Sequence, residues 1–398
     1  MMAEASCAFP GLVDMSLPAA DDSADLSRRI ASVCGTSWQD AYAELHATAV
    51  GNAAQQPVRI LVFDTLGQGG LADRLTGLMT ALLFAILTDR ALALDWPGHT
   101  EALQTPRFLN GANSRLLSQS QRAPPEEKRR VEWINQNRKE LQAQMTSKPL
   151  DVLWPERVVV LRSNRGFTQG LLNAPQLATA VAARNLTASN AQFGCLFNFL
   201  LRPTPAALQP VAPLLDAMRS PDVVTVGVHV RTGDNAFVDE AGADDAAMRE
   251  RGERLFAAHK FIFDFADRLA NDIATAHDPP RASRMLLLGD SNAMRAHAAS
   301  VYGTRLLLSN VTVGHVARQQ GALLTAVGEH WLYTSSHAFA FSSHSGFPRT
   351  AAARAVRDDA IHTCFHYTGP LLNAQPTARE CTGPYTVAAL GDRHAAGL

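Results

Sequence analysis

Residues 224–234 read VTVGVHVRTGD, and this alternating run decides how the second half of the chain folds. Because successive side chains of a strand point to opposite faces, the valines share one face, and His229 and Arg231 share the other. Gly233 allows the tight turn that follows. Ligands of α/β proteins bind at the carboxyl ends of strands, where the fork of donors on Arg231 suits a phosphate. An ion pair between Arg231 and Asp234 that closes the turn is the alternative.

The sequence beyond this strand alternates helices with further strands. Its pattern predicts helices over 246–275, 291–302 and 315–333 and from 348, and strands over 285–289, 304–309 and 337–342. Strands that alternate with helices of this length form a parallel sheet with helices on both faces. We therefore expect a Rossmann-like second half.

The first half begins with a unit of the same kind. Residues 59–63 read as a buried strand, the glycine-rich residues 67–70 as a turn, 71–88 as an apolar helix and 91–95 as a second strand. This order requires parallel strands and favours a right-handed connection. The charged residues 118–148 are expected to form a surface insertion with a helix.

The length of 398 residues fits two domains of ordinary size with a cleft between them. Prolines at both ends of residues 203–222 predict a hinge there. We expect an N-terminal lead with a helix (1–56), a first Rossmann-like domain (57–215), a second Rossmann-like domain (216–370) and a C-terminal tail (371–398).

The formal net charge is -1, from 36 Lys and Arg against 37 Asp and Glu residues. This balance gives no overall field that favours nucleic acid or an anionic membrane, so we expect no nucleic-acid partner. No apolar run approaches the ~18 to 20 residues that a membrane span needs, and the acidic N-terminus does not fit a signal peptide. Neither an anchor nor a membrane contact is evident in the sequence.

The five cysteines contain no Cys-x-x-Cys pair, and none lies near a histidine at zinc-finger spacing. One disulfide is open to this chain in an oxidising compartment, and Cys364 with Cys381 is a candidate pair. The sequence also contains no Asp-x-Asp triplet. We therefore expect neither a metal site nor a cofactor.

A glycine-rich segment, GQGGLADRL at residues 67–75, joins the first predicted strand to its helix. Its glycines let the backbone approach a ligand, and the free amides of a helix start attract anions. Gly67, Gly69 and Ala72 also satisfy the dinucleotide-binding fingerprint, with Asp95 placed to hold a ribose. A dinucleotide-dependent (NAD(P) or FAD) oxidoreductase is therefore an alternative.

Two further strand ends carry polar residues. In residues 341–349, FSSHSGFPR, Ser345 can cap the helix that follows and leave amides for phosphate oxygens. In residues 286–291, LLLGDS, the carboxylate of Asp290 can accept the N–H groups of a guanine. Capping the next helix is the commoner role for such an aspartate.

Taken together, these segments resemble the fucosyltransferase superfamily, whose members use GDP-fucose: plant xyloglucan-type, bacterial chitooligosaccharide and protein O-fucosyltransferases. GGLADRL resembles its Gly-Leu-Gly-Asn-Arg-Leu segment, and VGVHVRTGD its His-x-Arg-x-Gly-Asp motif. LLLGDS is similar to its Ser/Thr-Asp-Ser segment, and SSHSGFPRTAA to its Ser-x-Phe motif. The resemblance spans about residues 35–360. It implies a GT-B-like α/β fold with two Rossmann-like domains whose parallel sheets face an interdomain cleft. The resemblance also implies that residues 57–215 form the acceptor side and that residues 216–370 bind the GDP-sugar.

The resemblance implies a glycosyltransferase that moves fucose from GDP-fucose to a glycan or protein acceptor without a metal ion. Arg231 would bind the β-phosphate as a catalytic residue, His229 would lie by the ribose or phosphates, and Asp290 would recognise guanine. The other implied substrate contacts are Gly69, Gly70, Leu71, Arg74, Gly233, Asp234, Ser291, Ser343, Ser345, Gly346 and Phe347. Related eukaryotic enzymes are lumenal, which implies the Golgi or secretory lumen.

Asp73 and Ala72 stand where the family has an asparagine and its second glycine. A carboxylate at the cleft is a candidate general base for the acceptor hydroxyl, so we include Asp73 among the predicted catalytic residues. Pairing with Arg74, or capping its own helix, is the alternative for Asp73. For the whole chain, a catalytically inactive carbohydrate-binding module is a second alternative to the enzyme.

Overall fold

The structure is a computed structural model, and the residues it describes are 21–35, 37–51, 57–65, 69–133, 138–186, 191–233, 240, 242–311, 316, 321–342, 345–357, 360–366 and 379–385. Three residues of the predicted site, Gly67, Asp234 and Ser343, lie outside the described residues. The same holds for residues 1–20 of the predicted lead.

Strands alternate with helices along the chain. The strands are β1 (Ile60–Asp64), β2 (Ala91–Asp95), β3 (Leu103–Gln104), β4 (Lys128–Trp133), β5 (Val158–Ser163), β6 (Arg202–Pro203), β7 (Val223–Val230), β8 (Ala282–Gly289), β9 (Leu306–Leu308), β10 (Ala338–Ser342), β11 (Ile361–His366) and β12 (Arg379–Tyr385). The helices of the first half are α1 (Asp21–Cys34), α2 (Ser37–Gly51), α3 (Leu71–Leu87), α4 (His99–Ala102), α5 (Arg107–Asn110), α6 (Asn113–Arg122), α7 (Arg138–Ser147), α8 (Leu150–Leu153), α9 (Thr168–Leu172), α10 (Ala178–Ala183), α11 (Gln192–Leu200), α12 (Pro205–Leu208) and α13 (Ala212–Met218). Those of the second half are α14 (Asp245–Thr275), α15 (Asn292–Tyr302), α16 (Ala322–Thr334) and α17 (Gly346–Arg354).

The N-terminal sheet has the strand order β2-β1-β5-β4, and all of its neighbours are parallel. The predicted strand, helix, strand unit is confirmed as β1, α3 and β2. Helix α3 is buried almost all round because apolar residues cover every side of it. This explains why the segment showed no polar face in the sequence.

One prediction for the first half was wrong. Residues 118–148 include the expected helix, α7, but they do not form a surface insertion, because β4 within this segment pairs with β5 as the edge strand of the sheet. Only Val131 and Trp133 of β4 are buried, while its other residues are charged and partly or fully exposed. An edge strand tolerates such charges, and here they concealed the alternation.

The C-terminal sheet has the order β12-β11-β10-β7-β8-β9, parallel from β11 to β9 and antiparallel between β11 and β12. The two large sheets confirm the predicted α/β, GT-B-like class. Strand β7 lies in the middle of its sheet and is buried from Val224 onward. Both faces of a central parallel strand are covered by other elements, so polar side chains of this segment become accessible to solvent only beyond the end of the strand.

The first half of the chain has two hydrophobic clusters and the second half has one, and the larger cluster of the first half meets that of the second. Phe193, Trp331 and Phe347 pack against both. A Cβ atom on Gly194 would lie 2.3 Å from the carbonyl oxygen of Ala353, so glycine is what allows α11 and α17 to approach this closely. Helix α17 also packs against α3, which brings the second half against the first predicted unit.

Two disulfides cross the fold. Cys364 pairs with Cys381 and joins β11 to β12, and this pair was a candidate from the sequence. Cys34 pairs with Cys195 and joins α1 to α11 across a sequence separation of 161 residues. Sequence reasoning did not find this second pair, because nothing local relates two cysteines so far apart. Over the described part of the chain, every helix is too short or too polar to cross a membrane.

Candidate active site

The candidate site lies where the strand order of the C-terminal sheet reverses. From β7 the chain continues to β8 and β9 on one side, and later to β10 and β11 on the other. The carboxyl ends of β7 and β10 therefore flank a topological switch point, the usual ligand position in such sheets. At this point the backbone N–H of Arg231 donates to Oγ of Ser342, with an N···O distance of 2.9 Å. Ser342 was not among the predicted residues.

The turn after β7 is held by one carboxylate. Asp290, at the end of β8, accepts hydrogen bonds from Thr232 through its backbone N–H and its hydroxyl, both to Oδ1 at 2.8 Å. Its Oδ2 accepts the backbone N–H of Gly233 at 3.0 Å. The same oxygen lies 3.1 Å from Nη1 of Arg231. Four donors of the turn thus converge on Asp290.

The guanidinium of Arg231 is the exposed partner of this pair. Its side chain is 33% exposed, whereas that of Asp290 is 4% exposed. The carboxylate fixes the guanidinium from the protein side, and the strand directs it outward beyond the sheet. A guanidinium fixed in this way has donors in place before a ligand arrives.

His229 lies two residues before Arg231, on the same face of the strand, and is buried. Its ring stacks on Phe347, with centroids 5.5 Å apart, and meets Tyr333 edge-on at 6.4 Å. Burial, reinforced by the nearby charge of Arg231, lowers the pKa of His229 to about 3. Its Nδ1 has no hydrogen-bond partner among the described residues. A neutral imidazole whose Nδ1 has no hydrogen-bond partner in the described structure therefore lies beside the site.

Residues 345–347 lie at the start of α17, next to the switch point. Ser345 occupies the position before the helix, as predicted, and its backbone N–H donates to the carbonyl of Ser342 at 3.2 Å. Its hydroxyl forms no capping hydrogen bond within the described residues. Phe347, in the first turn of this helix, stacks its ring on that of His229. The start of this helix is thereby tied to the ends of β7 and β10.

Ser291 has a capping role in this structure. Its hydroxyl accepts the N–H of Met294 at 3.1 Å, at the start of α15, and donates to Glu240. Glu240 also accepts the N–H of Asn292 at 2.8 Å. Glu240 was missed by sequence reasoning, because its partner lies about fifty residues away. These contacts fix the end of β8 and hence the position of Asp290.

The glycine-rich segment opens α3 in the other half. Gly69 has φ +83°, in the region that favours glycine, and Gly70 stands at the helix start. The Oδ2 of Asp73 accepts the N–H of Gly70 at 3.0 Å. Asp73 therefore caps the start of its own helix, which is one of the two alternatives that the sequence left open. Arg74 is buried, and its guanidinium carbon lies 5.7 Å from the ring centroid of Trp96. Leu71 packs into the larger core, which leaves its backbone for any substrate contact.

The predicted residues that the structure describes thus fall into two sets. One set lies at the ends of β7 and β8 and at the starts of α15 and α17 (His229, Arg231, Gly233, Asp290, Ser291, Ser345, Gly346, Phe347), and the other (Gly69, Gly70, Leu71, Asp73, Arg74) lies at the start of α3. Across the described ranges, no three His, Cys, Asp or Glu side chains are grouped as a metal ion would require.

The two Rossmann-like sheets and the switch-point site define a GT-B-like α/β protein. An arginine-to-lysine mutant of Arabidopsis thaliana FUT1 in complex with GDP has a similar structure, with a TM-score of 0.54 and 16% identity over 84% of this chain and 79% of that one. At this identity the likeness concerns the fold alone. No family model and no curated protein matches the sequence.

Two other solved fucosyltransferase structures align with the chain over much of its length. The Bradyrhizobium fucosyltransferase NodZ gives a TM-score of 0.47 at 14% identity, covering 82% of this chain and 99% of that one. POFUT1 in complex with GDP-fucose gives 0.42 at 13%, covering 78% and 98%. Both scores lie below 0.5, so nothing further rests on them.

Proposed function

We propose that the chain is a fucosyltransferase that transfers fucose from GDP-fucose to a glycan or protein acceptor. The observation that carries the proposal is the guanidinium of Arg231, anchored by Asp290 and still a third exposed at the switch point. Three of the segments that resemble the fucosyltransferase superfamily meet at this point, namely those at the ends of β7 and β8 and at the start of α17. The GDP bound to the FUT1 mutant of similar fold agrees with the same donor class.

The chemistry fits a fixed positive charge. As the bond between the sugar carbon and the phosphate oxygen breaks, positive charge develops on the sugar ring and negative charge on the departing diphosphate. Donors already in place at the diphosphate stabilise that charge more in the transition state than in the bound substrate. Arg231 supplies such donors, and the open amides at the start of α17, beside Ser345 and Gly346, supply others.

His229 and Phe347 form a neutral surface beside these charges. Since the pKa of His229 is lowered to about 3, its imidazole adds no second positive charge near neutral pH. In a neutral imidazole the unprotonated nitrogen can accept a ribose hydroxyl, and the N–H nitrogen can donate to a phosphate oxygen. The stacked ring of Phe347 holds the imidazole in that orientation.

We assign Asp290 a positioning role in place of guanine recognition. A carboxylate offers about four lone-pair sites, and four donors of the turn already occupy the Asp290 oxygens. If Asp290 accepted hydrogen bonds from guanine, some of its bonds to the turn would have to break. Asp290 instead fixes the turn from which Arg231 extends.

We assign Asp73 to the start of α3, where its bond to Gly70 supports the helix, and we leave the general base of the reaction open. The same carboxylate argues against the oxidoreductase alternative. A dinucleotide would place its pyrophosphate at this helix start. The carboxylate of Asp73 would repel the pyrophosphate there, and it already binds the N–H of Gly70.

Metal independence is a further part of the proposal. Arg231 and the helix amides would together neutralise the diphosphate, which is the role of a divalent cation in metal-dependent transferases. We expect full activity in excess EDTA. A strict requirement for Mg²⁺ or Mn²⁺ would contradict this part.

A secretory or Golgi lumen is the proposed location. It fits the two disulfides, because such bonds form and persist in oxidising compartments. Immunolocalisation of the full-length protein with compartment markers tests it, and a cytosolic distribution would contradict it.

The direct experiment is a transfer assay with radiolabelled GDP-fucose and a panel of glycan and glycoprotein acceptors. Labelled product, or slow release of fucose to water without an acceptor, supports the enzyme. Thermal-shift titrations with GDP and NADPH separate the alternatives, because the transferase is stabilised by GDP and the oxidoreductase by NADPH. GDP binding without transfer or hydrolysis indicates the inactive module.

A further inference from the structure

A buried ion pair lies in the C-terminal half, among side chains that the proposed reaction does not use. Arg295, in the first turn of α15, and Glu329, in α16, are 4% and 5% exposed, and Nη2 of Arg295 lies 3.3 Å from Oε1 of Glu329. Ser309 follows β9, is 6% exposed and joins the two charges. Its hydroxyl accepts from Nη2 of Arg295 at 2.7 Å and donates to the carboxylate of Glu329. These three residues are here called the buried triad.

The buried triad ties two helices to the end of a strand. Nη2 of Arg295 also donates to the backbone carbonyl of Ser309 at 2.8 Å, which binds α15 to the end of β9. The carboxylate of Glu329 binds α16 to the same point. Burial raises the pKa of Glu329, and the charge of Arg295 and the hydroxyl of Ser309 oppose that rise. The charged carboxylate therefore depends on its two partners, and the three elements are held in one arrangement.

Near Glu329, helix α16 carries two side chains that contact the candidate site. The ring of His330, the next residue, meets the ring of Phe347 edge-on, with centroids 5.3 Å apart. Tyr333, one turn further along, donates its hydroxyl to a backbone carbonyl of β7 at 3.1 Å. Its ring meets that of His229 edge-on at 6.4 Å. The position of α16 therefore determines how the two rings beside the site are held.

The charge of the buried triad also acts on the candidate site. Burial is the main cause of the lowered pKa of His229, and the charges of Arg231 and Arg295 lower it further. Arg295 thus favours the neutral imidazole on which the proposed contact with a ribose hydroxyl or a phosphate oxygen depends. The triad reaches His229 in two ways, through the packing of α16 and through its charge.

Stability alone gives little reason for such a pair. Taking two charges out of water costs about as much as their attraction returns, and apolar residues of similar volume often serve a fold equally well. Nη1 of Arg295 is buried without a hydrogen bond in the described structure, which adds to this cost. Charged hydrogen bonds do fix distance and direction, which apolar contacts do not. The buried triad is therefore better suited to holding α16 in place than to stabilising the chain.

We propose that the buried triad positions the site for fucose transfer. It fixes α16, and α16 in turn orients the rings of His229 and Phe347 beside the bound nucleotide. Arg295, Ser309 and Glu329 are then positioning residues, since they act through other side chains. This inference rests on the proposed fucosyltransferase function and adds three residues that no sequence motif indicated.

The test replaces the whole triad by apolar residues, Arg295→Met, Ser309→Ala and Glu329→Leu together. Ser309→Ala alone is a smaller change that removes only the hydroxyl between the two charges. The control is Arg157→Met with Glu127→Leu, an ion pair that precedes β5 and β4 at the amino edge of the N-terminal sheet.

Four properties are measured for each protein. They are kcat for fucose transfer, GDP affinity by calorimetry, the melting temperature, and the ring signal of His229 in NMR spectra. His229→Gln assigns that signal among the histidines. Unlike the other three, the NMR signal reports the surroundings of the imidazole without any ligand.

We expect the triple variant to melt at or above the wild-type temperature, because apolar residues replace buried charges. Its kcat should fall roughly 10- to 100-fold and its GDP affinity less, since small misplacements cost most in the transition state. Ser309→Ala should lose about three- to tenfold in kcat, the scale of one hydrogen bond. The His229 signal should move in both proteins. The control should keep the wild-type kcat and signal.

A purely structural role would lower the melting temperature and leave kcat of the folded variants unchanged. Wild-type kcat in the folded triple variant would therefore overturn the proposal, and Ser309→Ala decides in the same way if the triple variant does not fold. Absence of both GDP binding and transfer in the wild type would count against the fucosyltransferase itself. The NMR signal then decides separately, because an unmoved His229 signal in these variants would overturn the positioning role.

Discussion

The carboxylate of Asp290 and the guanidinium of Arg231 are separated by 3.1 Å, and yet one is buried and the other reaches solvent. Asp290 also holds the backbone of the intervening turn through Thr232 and Gly233. One buried carboxylate therefore fixes both the path of the chain and the position of the cation that extends from it.

The first prediction concerns this positioning. Asp290→Asn should lower turnover with GDP-fucose about 10- to 100-fold, because it removes acceptors for a charged group and a backbone N–H, worth about 1.5 to 3 kcal/mol. The ratio of GDP to IDP affinity should stay as in the wild type, since IDP lacks only the guanine amino group. Titration of both nucleotides against both proteins measures the ratio. A ratio that falls toward one in the variant would return guanine recognition to Asp290.

The second prediction concerns Asp73. Asp73→Asn should reduce turnover less than tenfold and lower the free energy of unfolding by about 0.5 to 2 kcal/mol, because the carboxylate supports the start of α3 through Gly70. Steady-state kinetics and chemical denaturation measure the two effects. Loss of 10²-fold or more in turnover with unchanged stability would identify Asp73 as the general base instead.

The third prediction concerns pH and stability. Burial, reinforced by neighbouring arginines, lowers the pKa of His229 and that of His330 to about 3 each. The unfolded chain binds these protons near pH 6.5, so stability is full above that pH and falls as the pH drops from about 6.5 toward 3. Each histidine contributes about 1.4 kcal/mol per pH unit in this window.

His330→Phe provides the check on that slope. The His330 ring nitrogen pairs with the Thr350 hydroxyl at 3.0 Å, but that hydroxyl also donates to the Gly346 and Phe347 carbonyls. The phenyl variant should therefore fold, and its unfolding free energy should fall less steeply with acid by about 1.4 kcal/mol per pH unit. Denaturation curves between pH 4 and 7 decide the point, and identical slopes for both proteins would contradict it.

The fourth prediction concerns the disulfide between Cys34 and Cys195. Replacing both cysteines by serine should cost about 2 to 5 kcal/mol, because the bond closes a loop across 161 residues and restricts the unfolded chain. The pair Cys364 and Cys381, separated by 17 residues, should contribute less. Melting curves of the two double variants compare them. A larger loss from the short loop would contradict the loop-length argument.

Local patterns predicted the unit of β1, α3 and β2 and the alternation of strands and helices from β7 to α17, because each element obeys its own periodicity, but they did not predict β5, β11 or β12. The unit of β1, α3 and β2 and the end of β7 appeared where the sequence placed them. Strand β4 was missed because its charged edge residues concealed two buried ones, Val131 and Trp133.

The contacts within the site were harder to foresee. The bond from Arg231 to Ser342 spans 111 residues, and that from Thr232 to Asp290 spans 58. Only the order of strands in the folded sheet brings these residues together. The sequence indicated that Asp290 matters, but its four donors become visible only when the turn is folded around it.

The central claim is that the positive charge of Arg231 stabilises the departing diphosphate. The most direct measurement is kcat for fucose transfer from GDP-fucose by Arg231→Lys and Arg231→Ala, with Arg219→Lys as the control at a solvent-exposed ion pair with Asp216. We expect both Arg231 variants to lose about 2 to 4 kcal/mol of transition-state stabilisation, roughly 30- to 1,000-fold in kcat, while the control keeps wild-type turnover. Near-normal turnover in both Arg231 variants would contradict the account.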